Sequence, residues 1–196
     1  MKICYNMGMN AVQQVDAQTV LAYFERLDPL VRSGTVLHVI GGSAVVQLGA
    51  QIRVTADIDV ALPYSKLELT EFVKASAKAG LPVDPSFGYQ GAYVELVKPL
   101  MLTLPRPASE ESCVELFKGV NLTVRTSSPA DLVASKLYRY SSQDQEDIQF
   151  LMGTGGMTID SVRESVQRLP ERFCDDVLIR ENLINLESDL KLWKGL

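Results

Sequence analysis

The stretch that decides the fold runs from Thr35 to Leu62 and reads TVLHVIGGSAVVQLGAQIRVTADIDVAL. Its first residues, up to Ile40, are apolar and rich in β-branched side chains, which predicts a buried strand. Two glycines end this strand, and Ser43 is predicted to cap a short helix that runs to about Leu48. A second strand is predicted from Asp57 to Leu62. The order strand, helix, strand brings the glycines and the aspartates close together.

Apolar periodicity predicts the elements on either side of this stretch. In chain order they are a helix over 16–33, a helix over 65–79, β-like sequence over 92–125 with a hairpin of 113–117 and 120–124, and helices from Ser128 to the C-terminus. We therefore predict an α/β (α+β) fold. A small mixed sheet with flanking helices forms residues 1–127, and a helical region forms residues 128–196. The boundary near Ser127 is soft, and the two parts can equally form one compact unit.

The composition limits the class of protein. With 46% hydrophobic and 22% charged residues the chain is typical of folded proteins, and a net charge of -5 argues against a broad DNA-binding face. Cys4, Cys113 and Cys174 are odd in number and far apart, which favours a reducing compartment over a disulfide framework. The N-terminus MKICYNMGMN lacks the apolar core of a signal peptide, and no run is long enough for a membrane span. We predict a cytoplasmic protein without a membrane partner.

Two short elements of the deciding stretch carry candidate chemistry. The two-residue period of a strand puts Asp57 and Asp59 on one face, where two carboxylates repel each other unless a cation neutralises them. Mg²⁺ favours such oxygen ligands together with substrate phosphates. Gly41 and Gly42 follow a strand and begin a short helix, so their backbone N–H groups can approach an anion closely. The two elements together predict a site for a metal–nucleotide complex.

The segment from Ile40 to Leu62 resembles the nucleotidyltransferase superfamily, whose motif is Gly-Ser followed by Asp-x-Asp or Asp-x-Glu. It is most similar to the branch that holds the abortive-infection type toxins of bacterial toxin–antitoxin pairs and related nucleotidyltransferase-like proteins. In that branch Gly-Gly-x-Ala, a later Arg-x-Thr and Asp-Ile-Asp recur, and here Arg53 and Thr55 supply the middle element. The resemblance implies a nucleotidyltransferase-type core.

A second segment, SPADLVASKLYRYSSQDQEDIQFL from Ser128 to Leu151, resembles the next signature of the same branch. Its lysine corresponds to Lys136 and its acidic pair to Asp144 and Asp147. The resemblance implies that Gly41, Gly42, Ser43 and Lys136 hold nucleotide phosphates, that Asp57 and Asp59 hold Mg²⁺ or Mn²⁺, and that Arg53 and Asp147 assist. Arg53 can alternatively pair with Asp57.

The implied reaction is transfer of a nucleotidyl group from an NTP to an RNA end or a protein hydroxyl, by a toxin that has an antitoxin protein as its partner. Active members of the superfamily usually carry a third carboxylate on a later strand. Glu95 and Glu115 both lie in β-like sequence, and Glu95 is favoured because it comes first after the helix that follows Asp59. An alternative is a catalytically idle domain that binds a nucleotide or a partner protein, and a third is a structural module whose aspartates are only solvated.

Other conspicuous residues have structural interpretations. His38 lies inside an apolar strand and is predicted to be a hydrogen-bonded core residue. The segment from Gly153 to Gly156 follows a helix, so a helix-ending turn is favoured over a phosphate loop. One helix is predicted from Glu171 to Trp193, with a stripe facing the core. Arg53, Lys136 and Arg139 can form a small basic funnel for one RNA terminus.

Overall fold

The computed structural model describes residues 15–50, 53–154 and 156–193. The helices in this part of the chain are α1 Ala17–Leu27, α2 Gly41–Gln47, α3 Leu69–Ala79, α4 Pro129–Lys136, α5 Ser142–Gly153, α6 Ile159–Val166, α7 Glu171–Cys174 and α8 Val177–Trp193. The strands are β1 Thr35–Ile40, β2 Asp57–Ala61, β3 Tyr93–Val97, β4 Val114–Lys118 and β5 Leu122–Thr126. Cys4 and the N-terminal segment MKICYNMGMN lie outside the described residues.

The five strands form one mixed sheet in the order β3-β2-β1-β5-β4. Strand β1 is antiparallel to β2 and parallel to β5, and β2 is parallel to β3. Strands β4 and β5 form the predicted antiparallel hairpin, with a register shift between Glu115 and Phe117. The predicted α/β (α+β) class, with a small mixed sheet followed by helices, is confirmed.

The two faces of the sheet differ as the alternation of the deciding stretch predicted. On β2, Ile58 and Val60 are buried, whereas Asp57 and Asp59 are half-buried. Helix α1 packs on the apolar side through a stripe that includes Tyr23. Because β2 has one apolar and one acidic face, burying the first leaves the second available for a site.

The helices after β5 begin with side-chain caps. The hydroxyl of Ser128 accepts from the backbone N–H of Asp131 at 3.2 Å, and Ser141 and Asp144 form a capping box at the start of α5. The hydrophobic core contains residues of both halves of the chain, such as Leu37 of the sheet and Leu132 of α4. The boundary near Ser127 stays a prediction. In the described part of the chain, none of the helices combines the length and the apolar character that a bilayer crossing requires.

The prediction that Ser43 caps α2 is wrong. Helix α2 begins at Gly41 with Ile40 in the N-cap position, so Ser43 lies inside the first turn. Its side chain is fully buried, and its hydroxyl donates to the carbonyl oxygen of Ile40 at 2.9 Å. The chain can turn three residues earlier than expected because Gly41 has a φ of 64°, a conformation that favours glycine.

Three further helix boundaries differ from the predictions. The helix predicted over 16–33 ends at Leu27, before a 3-10 turn at Asp28–Leu30. The helix predicted from residue 65 begins only at Leu69, because Leu62–Tyr64 forms a 3-10 turn and the Glu68 side chain caps the helix. The helix predicted from Glu171 to Trp193 is divided into α7 and α8 at residues 175–176. The predicted turn after α5 is confirmed, since that helix ends at Gly153, although residue 155 lies outside the described residues.

Candidate active site

Three carboxylates meet where β2 and β3 lie side by side. The parallel register pairs Asp57 with Tyr93 and Asp59 with Glu95, so all four side chains project from the acidic face of the sheet. One carboxylate oxygen from each of Asp57, Asp59 and Glu95 lies within 4.8 Å of the others. We call these three residues the acidic triad. Their separation allows one cation to contact all three.

The acidic triad is short of positive charge. Burial raises the pKa of Asp59 to about 7, and repulsion from Asp57 and Glu95 adds to this rise against the attraction of Lys136 and Arg139. Burial and the charge of Asp57 also raise the pKa of Glu95. The acidic triad therefore holds part of its negative charge only at a cost in free energy, which a bound cation would remove.

Two hydroxyl groups orient the first aspartate. Thr55 donates to Asp57 Oδ1 at 3.1 Å, and the Tyr93 hydroxyl donates to Asp57 Oδ2 at 3.3 Å. Burial and the charges of Asp57 and Glu95 raise the pKa of Tyr93 to about 12, so Tyr93 stays a proton donor at neutral pH. Tyr93 was not among the site residues predicted from the sequence. Only its register opposite Asp57 reveals it.

The two glycines of the deciding stretch make room for charged side chains. A methyl group added at Gly41 would overlap the carboxylate of Asp59, and one added at Gly42 would lie 2.8 Å from Arg53 Nη2. The antiparallel register pairs Ile40 with Asp59, which explains this close approach. Glycine is needed at residue 41 both for its positive φ and for the space that Asp59 occupies.

A second group of charged side chains is paired internally. Lys136 is 7% exposed, and its Nζ donates to Asp147 Oδ2 at 2.8 Å and to Asp144 Oδ1 at 3.4 Å. Arg53 Nε donates to Asp147 Oδ1 at 2.9 Å, and Arg139 binds Asp144 through Nε at 2.6 Å and Nη2 at 2.8 Å. We call these five residues the ion-pair cluster. The alternative pairing of Arg53 with Asp57 is wrong, since its carboxylate partner is Asp147.

The ion-pair cluster has the opposite electrostatics to the acidic triad. Burial acts to raise the pKa of Asp144, but hydrogen bonds from Arg139 and Ser141 outweigh it and hold that pKa well below its usual range. The hydrogen bond and charge of Asp144 raise the pKa of Arg139. The cluster therefore stays ionised without an external ion.

A cavity of about 400 Å³ lies between the acidic triad and the ion-pair cluster. Gly41, Asp59 and Glu95 form part of its wall, and Lys136, Arg139 and Asp144 form another part. The cavity is within the range that small-molecule sites occupy. Its two charged walls can contact a metal ion and an anionic ligand at the same time.

The predicted site residues divide into three groups by position. Gly41, Asp59, Glu95 and Lys136 line this cavity, and Asp57 adjoins it as part of the acidic triad. Gly42, Arg53 and Asp147 lie behind it, where Gly42 contacts Arg53 and Arg53 binds Asp147. The hydroxyl of Ser43 faces the interior.

The two candidate third acids lie at different ends of the sheet. Glu95 is on β3, beside Asp59, whereas Glu115 is on the opposite edge strand β4 and is exposed. His38 is a hydrogen-bonded core residue as predicted, because it is fully buried and its Nε2 lies 2.8 Å from Ser127 Oγ. Burial, aided by the charge of Arg125, lowers the pKa of His38 to about 4 and keeps it neutral.

The donor set of the acidic triad fits a hard divalent cation. Carboxylate oxygens are the ligands that Mg²⁺ and Mn²⁺ prefer, and the side chains are half-buried, which leaves room for water or phosphate ligands. The raised pKa of Asp59 shows that the protein itself does not neutralise this charge.

A glycine-led helix lies next to the acidic triad on a mixed sheet, which agrees with the resemblance of the segment 40–62 to the nucleotidyltransferase superfamily. In keeping with this, residues 18–166, more than half of the chain, match the model of the family described as nucleotidyltransferase of unknown function (DUF6036). The chain belongs to this family. Searches of curated proteins and of solved structures returned no match.

Proposed function

We propose that the protein transfers a nucleotidyl group from an NTP to a hydroxyl acceptor, with Mg²⁺ or Mn²⁺ bound by Asp57, Asp59 and Glu95. The observation that carries the proposal is the meeting of three carboxylate oxygens within 4.8 Å on one edge of the cavity. Membership of a nucleotidyltransferase family supports the same reaction class.

The reaction joins the acceptor oxygen to the α-phosphorus of the NTP and releases pyrophosphate. A divalent metal would lower the barrier by stabilising charge on the attacking and leaving oxygens. Glu95 is suited to accept the proton of the attacking hydroxyl, because the strand register places its carboxylate beside Asp59 on the wall of the cavity. Tyr93 and Thr55 fix the orientation of Asp57 through their hydrogen bonds.

The NTP would occupy the cavity between the acidic triad and the ion-pair cluster. Lys136 and Arg139 supply positive charge on the wall that faces the triad, which suits a triphosphate. Gly41 and Gly42 let the backbone at the start of α2 approach the same ligand, with Ser43 contributing its backbone N–H. Arg53 and Asp147 would act indirectly, since Asp147 holds both Arg53 and Lys136 in position.

The finer proposal is that the acceptor is an RNA end or a protein hydroxyl and that the protein is the toxin of a toxin–antitoxin pair. Its support is the likeness of the segments 40–62 and 128–151 to that branch of the superfamily. The small basic surface at Arg139, which is 71% exposed, suits a single terminus better than a long duplex.

Incubation with each α-labelled NTP, Mg²⁺ and a cell lysate tests the reaction. We expect one NTP to label an acceptor, and Asp57→Asn, Asp59→Asn and Glu95→Gln each to abolish the label. Glu115→Gln is the matched control, because Glu115 is also a strand glutamate but is exposed on the far edge of the sheet. Labelling that survives all three triad substitutions would contradict the proposal.

The idle-domain alternative predicts nucleotide binding without turnover. Its motives are the missing third carboxylate and the acidic net charge of the chain, and the position of Glu95 beside Asp59 argues against the first. Nucleotide binding in calorimetry without pyrophosphate release in any acceptor mixture would restore it.

A further inference from the structure

A second, larger cavity lies on the same face of the sheet, toward β5. Its volume is about 1050 Å³, and four cationic side chains line it: Lys66, Arg106, Arg125 and Arg168. Glu110 is the one carboxylate in the described lining, and its side chain is 83% exposed. We call this space the cationic cavity. A concentration of positive charge is unexpected in a chain whose net charge is -5.

Three of the described buried polar atoms without partners belong to Arg125 in the lining of the cationic cavity and to His38 and Asp131 next to it. Among the described residues, the buried side-chain atoms that have no hydrogen-bond partner are His38 Nδ1, Arg125 Nε, Thr126 Oγ1 and Asp131 Oδ2. Arg125 lines the cavity, and Asp131 is bound to its neighbour Arg168 at 2.6 Å. His38 lies beside Arg125 in the strand register and packs its ring on Tyr64 of the wall. Unsatisfied buried polar groups cost free energy, which a ligand that hydrogen-bonds to them would recover.

Two of the cations are available for a ligand. Lys66 and Arg106 are exposed and make no ion pair within the described residues, whereas Arg125 contacts Glu110 at 3.4 Å and Arg168 is held by Asp131. The longer contact of Arg125 is to a carboxylate that remains mostly in water, which makes it weak and exchangeable. An incoming anion can therefore reach two free cations and displace the partner of a third.

We infer that the cationic cavity binds a nucleotide through its phosphate, at a site separate from the acidic triad. Arginine guanidinium groups match phosphate oxygens in a bidentate geometry, and lysine adds a point charge. The cavity volume is larger than an inorganic anion would occupy. The half-buried ring of Tyr64 offers a surface on which a base can stack. The ligand is a free mononucleotide or the phosphorylated end of a strand.

The site does not depend on the proposed catalysis. Arg125 pairs with His38, which precedes Ile40 by two residues on β1, and Ile40 pairs with Asp59. The backbones of Arg125 and Asp59 are therefore offset by about 7 Å along the strands and lie on opposite sides of β1. The cations of the cationic cavity belong to other elements, and metal binding by the triad is not needed to attract a phosphate. Binding in EDTA therefore tests this inference independently of the transfer reaction.

Titration calorimetry in EDTA with adenosine 5′-monophosphate, adenosine and a 5′-phosphorylated tetranucleotide tests the inference. We expect the monophosphate or the tetranucleotide to bind, and adenosine to bind at least about tenfold more weakly, because it lacks the charge. Lys66→Gln with Arg106→Gln should weaken binding by a similar factor while the protein stays folded, since both side chains are exposed. Arg180→Gln on α8 is the matched control, because Arg180 is exposed and outside this lining.

A chemical footprint gives a second measurement. Cys113 lines the cationic cavity, whereas Cys174 is exposed and outside its lining. The bound phosphate ligand should slow alkylation of Cys113 and leave Cys174 unchanged, as read by mass spectrometry. Asp57→Asn with Asp59→Asn should preserve both the binding and the footprint. Tighter binding of the tetranucleotide than of the monophosphate identifies a strand end. Equal binding of adenosine and its monophosphate, or wild-type affinity in the Lys66 and Arg106 variant, overturns the inference.

Discussion

The acidic triad and the ion-pair cluster face each other across one cavity, and both contain buried or half-buried carboxylates. In the cluster, each carboxylate has at least two charged partners from Arg53, Lys136 and Arg139. In the triad, the described contacts of the carboxylates are hydroxyl hydrogen bonds and mutual repulsion. The pKa of Asp144 is lowered and that of Asp59 is raised as a result.

This difference gives the two groups of carboxylates different roles, one in stability and the other in ligand binding. Carboxylates that the protein neutralises with its own cations join α4, α5 and the segment before β2 to one another. Carboxylates that the protein leaves without cations cost free energy in the folded state, and they acquire a counterion only by binding one. Substitution should therefore have opposite effects on stability in the two groups.

The largest effect is expected when the ion-pair cluster loses its shared carboxylate. Asp147→Ala leaves Arg53 and buried Lys136 without their common partner and should reduce the free energy of unfolding by about 3–5 kcal/mol. Urea denaturation measures the change. Asp175→Ala is the control, because the pair of Asp175 with Arg180 is exposed and should contribute about 0.5 kcal/mol or less. Equal losses of unfolding free energy in the two variants would mean that the buried pairs of the ion-pair cluster stabilise the protein no more than an exposed pair does.

The next effect concerns metal. Asp57→Asn with Asp59→Asn should weaken Mn²⁺ binding by at least about 100-fold, since changes outside the ligand shell already cost 10- to 100-fold in known sites. Calorimetric titration with the metal alone measures this. Glu115→Gln should bind like the wild type, because Glu115 lies on the far edge strand. Retention of Mn²⁺ affinity in the double variant would leave the acidic triad without a metal role.

The pH dependence of stability should reveal Asp59. The pKa of Asp59 is about 7 in the folded state against an ordinary value of 3.8, so the folded state binds more protons between these values. Ionisation of Asp59 therefore lowers the free energy of unfolding as the pH rises from about 4 to 7. Asp59→Asn cannot ionise, and in EDTA it should be more stable than the wild type at pH 8 by about 2 kcal/mol.

Urea denaturation at pH 4 and pH 8 makes this comparison. The gain should nearly vanish at pH 4, where the wild-type carboxyl is protonated in the folded state and the pH is close to its unfolded-state pKa of 3.8. A difference that is the same at both pH values would assign the effect to packing instead of charge.

The smallest effect belongs to the orientation of Asp57. Tyr93→Phe removes one long hydroxyl donor contact to Asp57 Oδ2, at 3.3 Å, and should weaken Mn²⁺ binding by about fivefold, the equivalent of about 1 kcal/mol. Tyr89→Phe is the matched control, because the Tyr89 ring packs edge-on against Tyr93 at 6.4 Å without donating to the acidic triad. A larger loss for Tyr93→Phe than for the double aspartate variant would reverse the order proposed here.

Local patterns predicted much of the fold. The apolar, β-branched run before Gly41 predicted β1 with its observed bounds, and the alternation from Asp57 onward predicted which face of β2 is acidic. These features were accessible because burial of alternate side chains leaves a period of two in the sequence. The start of α2 was not predicted correctly. Serine is a common N-cap residue, which favoured Ser43, but the helix begins at Gly41.

Pairing across the sheet lies beyond local patterns. The sequence alone determined that Asp57 and Asp59 share a face and left Glu95 and Glu115 as competing third acids. The tertiary structure decided between their positions, because the parallel register of β2 and β3 sets Glu95 opposite Asp59. It also showed that Arg53 pairs with Asp147, 94 positions away in the sequence, and not with Asp57. A strand records its own two faces in its sequence, but its neighbour and register depend on how the whole core packs.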